Sequence, residues 1–393
     1  MPEFKRPEAE LFTGKYATIG TKGRATALAA DDFRTDFQRD IHRILYSQAF
    51  RRLRHKTQVF YFPQNDHVST RMNHVMFVAS AARTVARCLG LNEDLAEAIG
   101  LAHDIGHAPF GHRGEDFLNG IIADITKPNK GFETVMPIFH HEVYGLRVVD
   151  RLAKGDRAAP GLNLTWEVRD GIISHCGEDF TTCRLEPGDP EKDLASISHK
   201  HEAGNPATLE GCIVRLIDKI AYCGKDIEDA IEVDVIRPDD IPQEISQLGT
   251  NNGQIVGRLL EDIIRSSYNK DYIAISKANG DLMHRMIQFN CDNIYHTEEA
   301  QKYSKQAESN VRLLFAMLLD KLKTTNRFTD YDPDAPNGYK VYRIFHQFVT
   351  KDMKDIYDSS TPDELIVLDF LAGMTDGFVS RSFRELFIFE PTV

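Results

Sequence analysis

Apolar residues recur at helical spacing along most of the chain. From Asp31 onward, Phe33, Phe37, Ile41, Ile44 and Leu45 fall on one helical face, with Asp31 or Asp32 placed to cap it. After a turn at PQND, a helix is expected over 68–89, where His74 shares a face with Val78, Ala81, Ala82, Val85 and Leu89. Asn92 caps the next helix, whose Leu95, Ala96, Ile99 and Ala102 line up beside His103. Antiparallel packing of these two helices would bring His74 near His103 and Asp104. A third amphipathic helix is expected over 207–232, with Leu209, Ile213, Leu216, Ile220, Ile227 and Ile231 on one side. Its other side holds Gly211, Arg215, Asp218, Tyr222, Lys225, Asp226 and Asp229; a small residue and an aromatic suit a polar cleft better than a solvated face. Strand signals are few and short, so the pattern predicts an all-α fold with peripheral helices toward the C-terminus.

The stretch 99–115, IGLAHDIGHAPFGHRGE, concentrates candidate chemistry. His103, Asp104, His107, His112 and Glu115 are side chains that metal-dependent hydrolysis draws on. Gly106 reads as a helix stop, and Pro109, Gly111 and Gly114 are expected to keep the following chain out of regular helix, presenting His107, His112 and Glu115 from a turn. His140, His141 and Glu142 open another amphipathic segment and His175 closes a later one; spacing alone does not promote them to ligands.

Residues 1–30 have little periodicity and read as a loosely attached arm, leaving 31–393 as one helical domain: a core over about 35–235 and an extension over about 236–393. At 393 residues and 42% hydrophobic, the chain can bury a sizeable core. A net charge of -12 argues against a surface built mainly to coat nucleic acid, and an anionic substrate would need local cations. The run Arg51, Arg52, Arg54, His55 and Lys56 offers some, although such runs are usually solvated surface. Six cysteines without a CxxC pair read as reduced thiols, and MPEFKRPEAE has no apolar leader core; a cytoplasmic protein without membrane contact is expected.

His74, the His103–Asp104 doublet and Asp218 resemble the H…HD…D signature of the HD-domain metal-dependent phosphohydrolases. AFRRLRHKTQVF, TRMNHV, AHDIGHAPFGHRGE, LIDKIAYCGKDIEDA and LAGMTDGF together resemble the bacterial dGTP triphosphohydrolase-like proteins from about residue 35 to the end. The resemblance implies one divalent metal ion per site on His74, His103, Asp104 and Asp218. Two imidazoles and two carboxylates suit Mn, Fe, Co, Ni or Zn better than Mg. It also implies attack at the α-phosphorus of a dNTP, releasing deoxynucleoside and inorganic triphosphate. By motif position His112 is the general acid, with Glu115 holding its ring protonated, and His107 touches a phosphate oxygen. Arg71, Lys219 and His141 match positions around the triphosphate, and Tyr222 with Asp226 the pair that recognises the sugar. Arg54 and His55 stand where some members of the family carry Gln. The resemblance further implies a homo-oligomer with a possible activating nucleotide.

Two rival readings belong to other classes. One is an HD nucleotidase or phosphodiesterase acting on monophosphates or cyclic nucleotides. The other is a non-catalytic module binding nucleotide or single-stranded nucleic acid through Arg51 to Lys56, against which the complete ligand set speaks.

Overall fold

The computed structural model describes residues 8–29, 31, 33–57, 69–154, 160–177, 183–295, 297–333 and 338–388. Asp32, Val68 and the PQND turn lie outside them. A single turn, α1 (Glu8–Leu11), precedes a core of α2 (Asp36–Tyr46), α3 (Gln48–Arg52), α4 (Arg71–Leu89), α5 (Glu93–Ala102), α6 (Gly111–Thr126), α7 (His141–Arg147), α8 (Trp166–Ile173) and α9 (Leu209–Glu232). Around it pack α10 (Asn252–Ser267), α11 (Lys277–Asn290), α12 (Glu298–Thr324), α13 (Lys340–Gln347), α14 (Asp363–Ala372) and α15 (Asp376–Phe387). The only strands among the described residues are the two-residue antiparallel pair β1 (Arg184–Leu185) and β2 (Ile273–Ala274). The fold is all-α, as the periodicity predicts.

Three helices position the site. α4 starts at Thr70, whose hydroxyl accepts from the Asn73 amide while the Asn73 side chain returns to the Thr70 N–H. It ends at Gly90 in the left-handed conformation. Asn92 caps α5 by accepting from the Leu95 amide, as expected. The two helices approach so closely that a Cβ on Gly100 would lie 2.6 Å from the Ala79 Cα. α9 packs against both, burying Ile213, Leu216 and Ile220 completely or nearly so.

Several expectations are corrected. Thr35, not Asp31, caps the first core helix, because Thr35 and Gln38 satisfy one another's backbone N–H groups. Asp31 instead accepts from the amides of Phe33 and Arg34, and Phe33 and Leu45 are exposed. The described part of the N-terminal arm is tied down. Buried Glu210 accepts from Thr18 N at 3.0 Å and Thr18 Oγ1 at 2.7 Å, and Arg24 pairs with buried Asp40. These carboxylates reach N–H groups that would otherwise go unpaired, a signal that periodicity does not carry.

Gly106 does not act as a helix stop. α5 ends at Ala102, and a Cβ at 106 would collide with the His141 carbonyl oxygen and the Gly145 amide, so this glycine is needed for close packing. The chain beyond it is also not a turn throughout. Phe110, at φ 66°, reverses direction and α6 begins at Gly111, so His112 and Glu115 sit on its first turns. The Phe110 amide donates to Asp376 Oδ1 at 2.9 Å, and this buried carboxylate also accepts from Thr57 N at 2.9 Å and Thr57 Oγ1 at 2.7 Å. Lys56, buried rather than solvated, donates to the carbonyls of His107 and Ala372.

Candidate active site

His74 from α4, His103 and Asp104 from the end of α5, and Asp218 from α9 converge. His74 Nε2 lies 2.8 Å from Asp218 Oδ1 and 3.3 Å from His103 Nε2. His103 Nε2 lies 3.5 Å from Asp218 Oδ1 and 3.6 Å from Asp104 Oδ1, and His74 Nε2 3.8 Å from Asp104 Oδ2. Neighbouring ligands of one ion with bonds of about 2.1 Å stand roughly 3.0–3.4 Å apart, so these separations fit a shared cation. The His103 Nδ1 sits 2.8 Å from the Gly100 carbonyl, which fixes a proton there and turns Nε2 toward the convergent carboxylates, where it could meet a cation. Burial alone would raise both carboxyls. Asp218 is nonetheless held well below the usual range by His103 and His74, and Asp104 by His107, Arg71 and His103.

A second row of rings flanks these four residues. His107 Nε2 is 3.1 Å from Asp104 Oδ1, and its ring stacks on His141 with centroids 3.7 Å apart. Burial, Arg71 and His141 hold His107 well below its ordinary value, so it is neutral. Arg71 is buried and donates through Nη1 to Asp104 Oδ2 at 2.7 Å, which braces the carboxylate; its Nε has no partner.

Glu115 does not hold His112. Its oxygens meet His141 Nδ1 at 2.9 Å and His140 Nδ1 at 3.3 Å. Burial works against a charge on His141, but Glu142 and Glu115 overcome it and raise the ring to about 9. Burial, His141 and Arg71 push His112 down; because His112 as a whole is exposed, the two cations carry that effect. Of these two rings, His141 is therefore the protonated one in the free protein, while His112 is the one the cleft leaves open. The His141 Nε2 faces His175 Nε2 at 3.3 Å, and His175 packs edge-on to His103. These rings were unremarkable as sequence because they lie on separate short helices; the HHE triplet was the one available hint.

The polar side of α9 is not a solvated face, since Arg215, Asp218, Lys219, Asp226 and Asp229 are all buried. Asp226 accepts from the Tyr295 hydroxyl, a residue that sequence reasoning missed, in the π-helical turn Cys291–Tyr295 after α11. Burial first, and Asp229 next, push the Asp226 carboxyl up to about 7 despite that bond. Tyr222 is half-buried one turn before Asp226. Arg54 and His55 are exposed on the 3-10 turn Leu53–His55, and no hydrogen bond, ion pair or ring contact joins them to the other described site residues.

Residues 71–223 match the HD domain family, an interval that encloses all four convergent residues. The chain is 36% identical to a deoxyguanosinetriphosphate triphosphohydrolase-like protein of Caldanaerobacter subterraneus, over 94% of this chain and 90% of that one. It is 35% identical to the protein of the same description from Desulfatibacillum aliphaticivorans, over 95% of this chain and 93% of the relative. This chain belongs to the deoxyguanosinetriphosphate triphosphohydrolase-like proteins. The likeness covers 94% of this chain and so extends past the HD match into the segment that holds α10 to α15. No helix among the described residues is long and apolar enough to cross a membrane.

Proposed function

We propose that the chain is a metal-dependent triphosphohydrolase that converts a dNTP and water to the deoxynucleoside and inorganic triphosphate. The observation that carries this reading is the convergence of His74, His103, Asp104 and Asp218 beside a row of histidines that can manage a proton. A divalent ion on those four residues supplies Lewis acidity, polarising a phosphoryl oxygen and acidifying water. The nitrogen-containing donor set supports Mn, Fe, Co, Ni or Zn before Mg.

The chain's own residues do the rest. Lys219, beside Asp218 on α9, and Arg71, through the Nε that Asp104 leaves free, balance triphosphate charge in a protein of net charge -12. His107 keeps Asp104 in place through Nε2, and its Nδ1 edge donates to a phosphate oxygen once the charge of a bound triphosphate protonates the ring. His112 protonates the departing 5′ oxygen: it is neutral in the free protein, and the several negative charges of a bound triphosphate raise its affinity for a proton. His141, already charged and in ring contact with His112 at 5.4 Å, is the adjacent reservoir. Tyr222 packs on the deoxyribose where a 2′ hydroxyl would crowd it, and Asp226, held by Tyr295, accepts from the 3′ hydroxyl. Arg54 and His55 reach substrate only at the outer edge. A cytoplasmic homo-oligomer with an activating nucleotide completes the reading.

A hydrolysis screen of the four dNTPs, singly and in pairs, across several divalent metals is the test. Intact tripolyphosphate is expected, and rates in pairs that exceed the single rates would reveal activation. Orthophosphate from monophosphates, or opening of cyclic nucleotides with dNTPs untouched, would reject it.

A further inference from the structure

The His141 ring has two working edges. Nε2 faces His175, whereas Nδ1 faces two carboxylates, Glu115 Oε2 at 2.9 Å and Glu142 Oε2 at 3.4 Å. One proton on Nδ1 serves Glu115. Glu142 is fully buried, at 0% exposure, and neither of its oxygens has a hydrogen-bond partner. A buried carboxylate with no hydrogen-bond donor is rare, and against its lost hydration Glu142 has only the charge of His141, 3.4 Å away and already engaged by Glu115; a bound ion is one ordinary way to complete such a site. His140 adds to the imbalance. Its Nδ1 lies 3.3 Å from Glu115 Oε1, its Nε2 is buried without a partner, and His199 packs edge-on against the ring with centroids 4.3 Å apart.

Donor atoms of Glu115, His140 and Glu142 all lie within 4.8 Å of one another, on residues exposed by 8%, 7% and 0%. Bonds of about 2.0–2.2 Å place opposite ligands no more than about 4.4 Å apart, so the trio closes on an ion through side-chain movements of a few tenths of an ångström. We propose that Glu115, His140 and Glu142 form a second divalent-cation site, separate from the four-residue centre and divided from it by the rings of His141 and His175. Two carboxylate oxygens and one imidazole nitrogen suit Mn2+ or Zn2+. An ion there would fix the carboxylate of Glu115, which also orients His141, and would draw off part of the negative charge that keeps that ring protonated in the ion-free protein.

The test uses the full chain, stripped of metal and titrated with Mn2+ while free Mn2+ is followed by electron paramagnetic resonance. The unaltered protein is expected to bind two equivalents. Glu142→Gln and, independently, His140→Leu should each bind one, with helical content checked by circular dichroism, and Asp218→Ala should keep the other. A single equivalent in the unaltered protein overturns the proposal, as do two equivalents in both Glu142→Gln and His140→Leu, or loss of both from folded Asp218→Ala. Failure of the hydrolase reading would show separately, as absent dNTP turnover with the ion count unchanged.

Discussion

His141 and His112 differ by a proton although both rings lie close to Glu115, and the difference decides what each substitution should do. Removing a ligand and removing the acid should separate cleanly. His103→Ala or Asp218→Ala is expected to abolish retention of metal at the four-residue centre, read by elemental analysis of the purified variants in the Glu142→Gln background. His112→Ala should keep that metal and lower turnover by roughly two to four orders of magnitude, and a near-normal rate would reassign the acid. Asp226 carries a different cost. Its folded carboxyl titrates at about 7, above an unfolded value near 4, so the folded state holds the extra proton in that window and stability falls as pH rises through it. Asp226→Asn should therefore stabilise the protein at about pH 8 by on the order of 1–4 kcal/mol, and give no gain near pH 4. Urea denaturation at both values measures it, and an equal effect at the two would dismiss the carboxylate as the source.

At the scale of elements, α4, α5 and α9 were legible because each buries an apolar stripe of regular period, and the four convergent residues follow from their packing. What regular period cannot express was lost. The first turns of α6 contain Gly111 and Gly114, and read as a loop because helix propensity there is poor; a left-handed Phe110 pinned by a distant carboxylate overrides it. The partner of Glu115 was misassigned because His140 and His141 arrive from another element, and the Tyr295 contact comes from a turn beyond the HD match. Gly106 also belongs to this scale, since it lets the loop after α5 seat against the start of α7. Gly106→Ala should push His141 away from His107, costing about 1–3 kcal/mol in a denaturation experiment and at least about tenfold in turnover. An unperturbed rate would show that the loop can retreat without moving the ring.

Across the whole molecule, the last helices are structural partners of the site. Arg147 in α7 donates to Asp369 in α14 at 2.8 Å, Lys56 joins the His107 carbonyl to Ala372, and Asp376 gathers Thr57 and Phe110. Asp376→Ala strands buried donors on both segments, and we expect a loss of at least about 2 kcal/mol together with a fall in turnover. A denaturation midpoint matching that of the unaltered protein would count against this bracing. The clasp formed by Asp376 also has an order in time. Its partners at 57 and 110 are translated some 319 and 266 positions before it, so a ribosome that has made all four convergent residues has yet to supply the carboxylate that clasps these two segments. Folding of the cleft is thereby coupled to the arrival of α15.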